Sequence, residues 1–199
     1  MIHSSTYINE LPSISDFIQN LKSKAFLDAI LMPEWEYRYF SFNNNWDIHN
    51  SKMMGSMRNG QGDDFFILIT QSGIVGKNFW DQKRHVSEDI TSKMPNCFHC
   101  FLSEPAFKTD DVSYLFWREM SDNHWTIYPN DLEKYLGSEF LYLDAKQYHQ
   151  WAEKYYERKI NYTLLSKIFN TRKITADELL QINPDRNILE LEEEIKYII

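Results

Sequence analysis

The chain has 199 residues, a formal net charge of −8 at pH 7, 43% apolar residues and 16% aromatic residues. With only six glycines and six prolines, it lacks the composition of a fibrous repeat or a disordered chain. The negative charge argues against nonspecific nucleic-acid binding, which needs a cationic surface to displace counterions. The length predicts a single domain that spans residues 1–199.

The compartment is predicted from features that the sequence lacks. Two cysteines close together give no disulfide framework, and no apolar run approaches the roughly 20 residues that span a bilayer. The N-terminal residues lack the basic and then apolar pattern of a secretory signal. We therefore expect a cytoplasmic protein with no membrane association and no cofactor, whose oligomeric state stays open.

The first predicted element is an amphipathic helix that follows Ser13. Apolar residues recur at roughly the helical spacing from Ile14 to Ile30, and Ser13 with Asp16 resembles a capping pair. Pro33 ends this pattern, because the residue before a proline avoids the helical conformation.

Strands are predicted after this helix. Residues 35–42 alternate between two sets of side chains, which is typical of a strand with both faces partly covered. Three asparagines at 43–45 predict a turn. Residues 46–57 predict a second strand, interrupted near position 50.

The most apolar strand of the chain is predicted at Phe65–Ile69, between two turns. Before it, residues 58–63 contain Asn59-Gly60, a pair that accepts positive φ at both central turn positions. After it, Gln71–Gly73 predicts another turn and residues 74–79 predict a returning strand. The stretch therefore predicts a meander of at least three antiparallel strands.

Beyond the meander, residues 81–92 have no clean period and predict a loop or a frayed helix, the most mobile segment of the chain. A short helical piece is predicted at 94–102, where Pro95 suits a first helical position. Two more strands are predicted at 112–117 and 124–128.

The last third of the chain is predicted to be helical. Four helices are expected, at residues 145–158, 162–169, 176–182 and 188–198. Thr175 with Glu178 forms a capping box before the third of them. Because strands dominate 33–143 and helices 145–199, the sequence predicts an α+β fold: an antiparallel β meander of roughly five to seven strands with an N-terminal helix and a C-terminal helical layer.

Residues 54–66 read Met-Gly-Ser-Met-Arg-Asn-Gly-Gln-Gly-Asp-Asp-Phe-Phe. They resemble the MxSMRxGxGDxxF motif of a family of uncharacterised bacterial proteins. Scattered likenesses at 104–107, 117–118 and 151–157 extend the resemblance over most of the chain. Residues 76–80 depart from the family-like pattern, since acidic and histidine residues are replaced there. The family has no established activity, so the resemblance implies a fold more than a function.

One cluster of residues has metal-ligand spacing: Cys97, His99 and Cys100. Two thiolates and an imidazole suit zinc, but a structural zinc site needs four ligands, and no second Cys-x-x-Cys follows. The simpler interpretation is a short helix that buries Cys97, Phe98 and Phe101, since free cysteine is among the most buried residue types.

The first of two predicted functions is a cytoplasmic protein-interaction domain, and in particular an immunity protein that docks an acidic surface on a basic toxin. The order of helix, meander and helices is similar to that of the SUKH superfamily, which includes bacterial toxin-immunity proteins. Residues 101–199 hold twelve Lys or Arg against eighteen Asp or Glu, or −6, whereas residues 1–100 balance at −2. The candidate partner surface consists of Asp177, Glu178, Glu192, Glu193 and Glu194, and the alternative is an ordinary solvated helix face.

The second predicted function is a small-ligand-binding protein or enzyme with a cleft near the 58–64 hairpin and the 104–118 segment. Its candidate residues lie on the family-like segments: Arg58, Asp63, Asp64, Glu104, Trp117 and Arg118. The hairpin turn can direct N–H groups at an anion, although two carboxylates in the same turn repel one. The alternative is a plain hairpin in which Asp63 accepts backbone N–H bonds and pairs with Arg58. The sequence has no nucleophile elbow and no His-Glu-x-x-His motif that would indicate catalysis.

Overall fold

The structure, a computed structural model, describes residues 10–82, 92–130 and 135–199. The loop predicted to be mobile lies outside these ranges, except at its ends. The first helix, α1, spans Ile14–Leu31 and begins as predicted, because the Ser13 hydroxyl accepts the backbone N–H of Asp16 at 3.2 Å.

Six antiparallel strands form one sheet in the order β1-β2-β3-β4-β5-β6, so neighbours in sequence are neighbours in the sheet. With α1 before the sheet and four helices after it, this confirms the predicted α+β meander. The strands are β1 Phe40–Asp47, β2 Lys52–Arg58, β3 Asp64–Thr70, β4 Gly73–Phe79, β5 Tyr114–Glu119 and β6 Thr126–Tyr128.

The predicted hairpin between β2 and β3 is confirmed, and the Asn59 side chain organises it. Its amide oxygen accepts the backbone N–H groups of Gln61 and Asp63 at 2.8 and 3.1 Å. Gly60 and Gly62 have φ angles of +74° and +105°, which glycine adopts without the steric penalty of a Cβ. The turn at residues 71–73, which joins β3 to β4, is also confirmed.

The prediction was wrong at the start of the sheet. Residues Trp35–Tyr37 form a 3-10 turn rather than a strand, because the Arg38 guanidinium binds back to the carbonyl oxygens of Met32 and Pro33 at 2.7 and 2.6 Å. The asparagines at 43–45 lie inside β1 rather than in a turn.

The chain instead reverses between β1 and β2 at the 3-10 turn Ile48–Asn50. The Asp47 carboxylate accepts the backbone N–H of Asn50 at 3.3 Å, and Ser51 adopts a φ of +51°. A side-chain cap and a positive φ are the turn chemistry that was expected from the three asparagines at 43–45. The structure has this chemistry at the turn Ile48–Asn50 instead.

After β4, the described residues form five helices: α2 His99–Leu102, α3 Ala145–Tyr155, α4 Tyr162–Thr171, α5 Ala176–Ile182 and α6 Ile188–Ile195. The capping box of Thr175 and Glu178 starts α5 as predicted, and Asp144 with Gln147 forms another before α3. Two helices end earlier than predicted. In the segment after α3, Glu157 takes a positive φ, which a helix cannot accommodate.

The sheet has a core on each face. Its helical face packs against α1 and the C-terminal helices, and it includes Phe40, Met57, Phe65, Ile67 and Phe116. The opposite face packs against the segment 94–112 and includes Phe66, Leu68, Val75, Leu115 and Trp117. The strand β3 is therefore buried on both sides, as its continuous apolar run predicted.

Two ionisable side chains of α1 are fully buried in the helical core. The Lys24 ammonium donates to the carbonyl oxygens of Phe140 and Leu141 at 2.7 and 2.8 Å. The Asp28 carboxylate accepts the backbone N–H of Phe40 at 2.7 Å and the hydroxyl of Tyr148. Burial lowers the pKa of Lys24 and raises the pKa of Asp28 to about 6. These bonds attach α1 to β1, to α3 and to the segment before α3.

Candidate functional site

The first three candidate residues of the predicted ligand cleft lie at the β2–β3 hairpin, where Arg58 and Asp64 are opposite each other. The Arg58 guanidinium lies 4.3 Å from the ring centroid of Trp35. The Asp63 carboxylate does accept N–H bonds, from the backbone of Asp81 at 2.8 Å and from the Asn59 side chain at 2.6 Å. These contacts close the hairpin and stack its arginine on a tryptophan.

Asp64 belongs to a buried ion pair. Its carboxylate lies 2.9 Å from the Lys77 ammonium, which also donates to the carbonyl oxygens of Asp111 and Lys108 at 2.9 and 3.3 Å. Burial raises the pKa of Asp64 and lowers that of Lys77. The pair fastens residues 108–111 to the sheet. Lys77 is not among the predicted site residues, because a lysine in a strand is usually exposed.

The other candidates of the cleft lie elsewhere. Trp117 is buried in the core opposite the helices. Arg118 lies opposite Ile74, at the end of the sheet remote from Asp64, and donates to the carbonyl oxygens of Asp122 and Pro12 at 3.1 and 3.4 Å. Glu104 caps the 3-10 turn Pro105–Phe107. The structure therefore brings Arg58, Asp63 and Asp64 together and leaves Glu104, Trp117 and Arg118 apart from them.

The cysteine cluster has the opposite orientation to the one predicted. Cys97 and Cys100 are exposed, whereas Phe98 and Phe101 are buried. The spacing of three residues explains this, since Phe98 and Phe101 share one face of the turn and the cysteines share the other. The prediction that Cys97 is buried was wrong. Within the described part of the chain, no group of three or more His, Cys, Asp or Glu side chains is arranged to hold a metal ion.

The five predicted acidic residues lie on α5 and α6, and three of them form ion pairs within the chain. Glu178 binds Lys167 at 2.7 Å, and Glu193 binds Lys196 at 2.5 Å. Glu194 joins Arg38 and Arg186 at 2.5 and 2.7 Å. Asp177 and Glu192 have no such pair among the described residues. The acidic surface is therefore less charged than the sequence alone indicates.

A cavity of about 440 Å³, the β1 cavity, lies between the 3-10 turn at 35–37, the edge strand β1 and the residues that follow α6. Its polar and aromatic lining includes Trp35, Arg38, Trp46, Glu193, Glu194 and Tyr197. Trp35 and Tyr197 are 57% and 59% exposed. No local pattern in the sequence predicts this cavity, because its two sides come from residues about 150 positions apart.

The floor of the β1 cavity includes backbone at the free edge of the sheet. The backbone N–H of Arg58 donates to the carbonyl of Tyr39 at 2.9 Å, and this alternation directs the backbone groups of Phe40, Phe42 and Asn44 away from β2. The N–H of Phe40 is bound by Asp28, and the N–H of Asn44 donates to the carbonyl of Tyr197 at 2.6 Å. Between these two attachments, the N–H and carbonyl of Phe42 also point away from β2, and Phe42 lines the cavity.

Arg38 holds the two sides of the β1 cavity together. Its guanidinium bonds to the carbonyl oxygens of Met32 and Pro33 and to the carboxylate of Glu194, and the side chain is 7% exposed. The arginine therefore fixes the position of the 3-10 turn and of the end of α6. The remaining carboxylate on the rim, Glu193, is 74% exposed and paired only with an exposed lysine.

Comparisons with known proteins give no relative. No protein-family model matches the chain, no curated protein is significantly similar to it in sequence, and no solved structure matches its fold significantly. The resemblances to an uncharacterised family and to SUKH-type immunity proteins stay predictions. Among the helices that the structure describes, none is both long and apolar enough to cross a membrane.

Proposed function

We propose that the chain is a protein-interaction domain that binds an extended, basic segment of a partner protein in the β1 cavity. The observation that carries this proposal lies on the edge of β1: the Phe40 and Asn44 N–H groups are occupied, and no bond from the described residues occupies the outward-pointing groups of Phe42 between them. An extended peptide adds to such an edge through its own backbone, and neighbouring side chains select the sequence.

The rim of the cavity supports the choice of a basic segment. Trp35 and Tyr197 offer exposed aromatic rings, and Glu193 offers an exposed carboxylate on the same rim, whereas Arg38 and Arg186 bind the two oxygens of Glu194. A lysine or arginine side chain gains from both kinds of group, by cation–π attraction and by charge. The net charge of −8 attracts a basic partner over a longer range and raises the rate of association.

An immunity protein is the specific form of this function that the SUKH-like order of elements suggests. In that form, the extended segment belongs to a basic toxin, and the complex covers the surface that the toxin needs for activity. The acidic residue Glu193 then acts at the cavity rim, while Asp177, Glu178, Glu192 and Glu194 contribute to the long-range charge.

The proposal is tested with short synthetic peptides in which β-branched residues alternate with lysine, serine or glutamate. We expect the lysine peptides to bind and the glutamate peptides not to bind, with affinity that falls as salt rises. Fluorescence polarisation of labelled peptides measures the Kd. N-methylation of every second backbone amide of a peptide can be placed in two patterns, on the odd or on the even residues. We expect one pattern to abolish binding and the other to leave it unchanged, because only alternate amides face the edge of β1.

Replacing Trp35 with alanine is expected to weaken the binding of the lysine peptide by roughly thirty-fold, the effect of losing an aromatic anchor of about 2 kcal/mol. Tyr37→Ala is the matched control, since Tyr37 belongs to the same 3-10 turn, is 59% exposed and does not line the cavity. Circular dichroism confirms that both variants are folded. Equal losses in the two variants would contradict the assignment of Trp35.

The charge reversal Glu193→Lys tests whether peptide binding depends on the carboxylate at the cavity rim or on the net charge of the protein. We expect it to weaken the binding of the lysine peptide more than Glu192→Lys does. Glu192→Lys changes the net charge by the same amount, at the neighbouring residue of α6. Glu192 does not line the β1 cavity. If both reversals have the same effect, the peptide responds to net charge alone and the proposed binding site is wrong.

A further inference from the structure

A second concave surface lies on the far side of α6. This groove, the α4–α6 groove, has a volume of about 530 Å³ and lies between the C-terminal end of α4, the start of α5 and one face of α6. Its floor is apolar and consists of Phe26, Ile174, Ile188, Leu191 and Ile195. The three α6 residues follow each other at spacings of three and four, so they form one stripe about 10 Å long.

The rim of the groove is cationic, although the protein as a whole is acidic. Lys167, Arg172 and Lys173 line it, and Glu192 is the one carboxylate that does so among the described residues. Lys167 is neutralised by Glu178, whereas Arg172 and Lys173 have no carboxylate partner in the described part of the chain.

The Arg172 guanidinium is held in position by its hydrogen bond to the Ser23 hydroxyl, at 3.1 Å. Ser23 in turn donates to the carbonyl of Phe169 at 2.6 Å. Burial and the charge of Arg172 both lower the pKa of Lys22, so Lys22 is a further cation close to Arg172. An apolar stripe that ends at uncompensated cations suits a ligand with an apolar chain and an acidic head.

We propose that the α4–α6 groove binds a single dissolved amphiphilic anion, a medium-chain carboxylate. The apolar chain lies on Ile174, Ile188 and Ile195, and the carboxylate binds Arg172 and Lys173, where an arginine can contact both carboxylate oxygens. Glu192 faces the same space and disfavours a doubly charged phosphate monoester. The volume lies within the range of small-molecule sites in proteins. This site is independent of the peptide-binding function proposed above.

Decanoate, below the concentration at which it forms micelles, is the probe. Isothermal titration calorimetry measures its Kd, and methyl NMR of labelled isoleucines locates it through shifts at Ile174, Ile188 and Ile195. We expect decanoate to bind at one site, decanol to bind roughly ten-fold more weakly because it lacks the charge, and decyltrimethylammonium not to bind. Decyl phosphate is expected to bind more weakly than decanoate.

The double variant Arg172→Gln, Lys173→Gln is expected to weaken the binding of decanoate by roughly ten-fold or more, since charge-assisted hydrogen bonds are stronger than neutral ones. The chain offers a matched control in Arg158→Gln, Lys159→Gln, the same dipeptide in the segment after α3. If the first variant is less stable, Lys173→Gln alone, whose residue is exposed, replaces it.

Several results would overturn the proposal. Equal binding of decanol and decanoate, or equal losses in the two double variants, would show that the cations do not select the ligand. Methyl shifts confined to other isoleucines would place the ligand elsewhere. Binding to vesicles of phosphatidylglycerol without binding to decanoate would assign the groove to a membrane surface.

Discussion

The contribution of Asp28 to the free energy of unfolding is expected to decrease as the pH rises from about 4 to about 6, by about 3 kcal/mol in total. Burial raises the pKa of this carboxyl in the folded protein from 3.8 to about 6. The folded protein therefore keeps a proton that the unfolded chain releases in this range. The contribution is fully present below pH 3.8 and is lost as the pH rises through about 6.

The variant Asp28→Asn tests this expectation, because its side chain cannot release a proton. Urea unfolding of both proteins at several pH values measures the difference in stability, which should change by about 3 kcal/mol in favour of the variant between pH 4 and 7. Lys24 is present in both proteins, but the charge of Asp28 raises its pKa, so the measured difference belongs to the coupled pair. Exposed Asp177→Asn is the control. A constant difference between Asp28→Asn and the natural chain would contradict the raised pKa.

Gly73→Ala is expected to lower the free energy of unfolding by about 4 kcal/mol, from backbone strain and from overpacking. Gly73 has a φ of +142°, which side chains rarely allow. A Cβ at this position would lie 2.8 Å from the Cα of Glu119 and closer still to the carbonyl oxygen of Arg118. Both contacts are backbone atoms of β5, so relief requires β4 and β5 to separate.

Gly60→Ala provides the matched control for this prediction. Gly60 also has a positive φ, +74°, but a Cβ there would meet nothing within 4 Å. We expect it to lower the stability by about 1–2 kcal/mol, the strain of the left-handed conformation alone. Urea unfolding of the two variants measures the difference. Similar losses would mean that β5 moves away from Gly73 at little cost.

The predictable part of the fold is the part set by local chemistry. The Asn59-Gly60 turn, the Ser13 cap and the Thr175 capping box each act within a few residues, and all three are found where the sequence places them. The turn expected at 43–45 failed because three asparagines also fit an edge strand, where their side chains meet solvent and the end of the chain.

The candidate sites could be predicted much less well, because their residues meet only through long-range packing. Nothing near Trp35 in the sequence indicates that Glu194 will lie beside it. Lys24 and Asp28 interrupt the apolar pattern of α1 at a spacing of four residues, and such charges inside an apolar stripe were the available sign of a buried polar cluster. The six residues of the predicted cleft lie in segments that share the family resemblance, and a shared resemblance does not bring residues 40 or more positions apart into contact.

The sequential order of the strands has a consequence for how the chain folds. Each pairing from β1 to β4 joins strands separated by a short connection, so these contacts close small loops with little loss of entropy. The attachments of α1 are different in kind: its bonds to Leu143, Phe169 and Asn183 span 123, 146 and 153 residues. The hairpins can therefore form early, whereas the docking of α1 waits until the C-terminal helices are present, and slow steps in refolding belong to that docking.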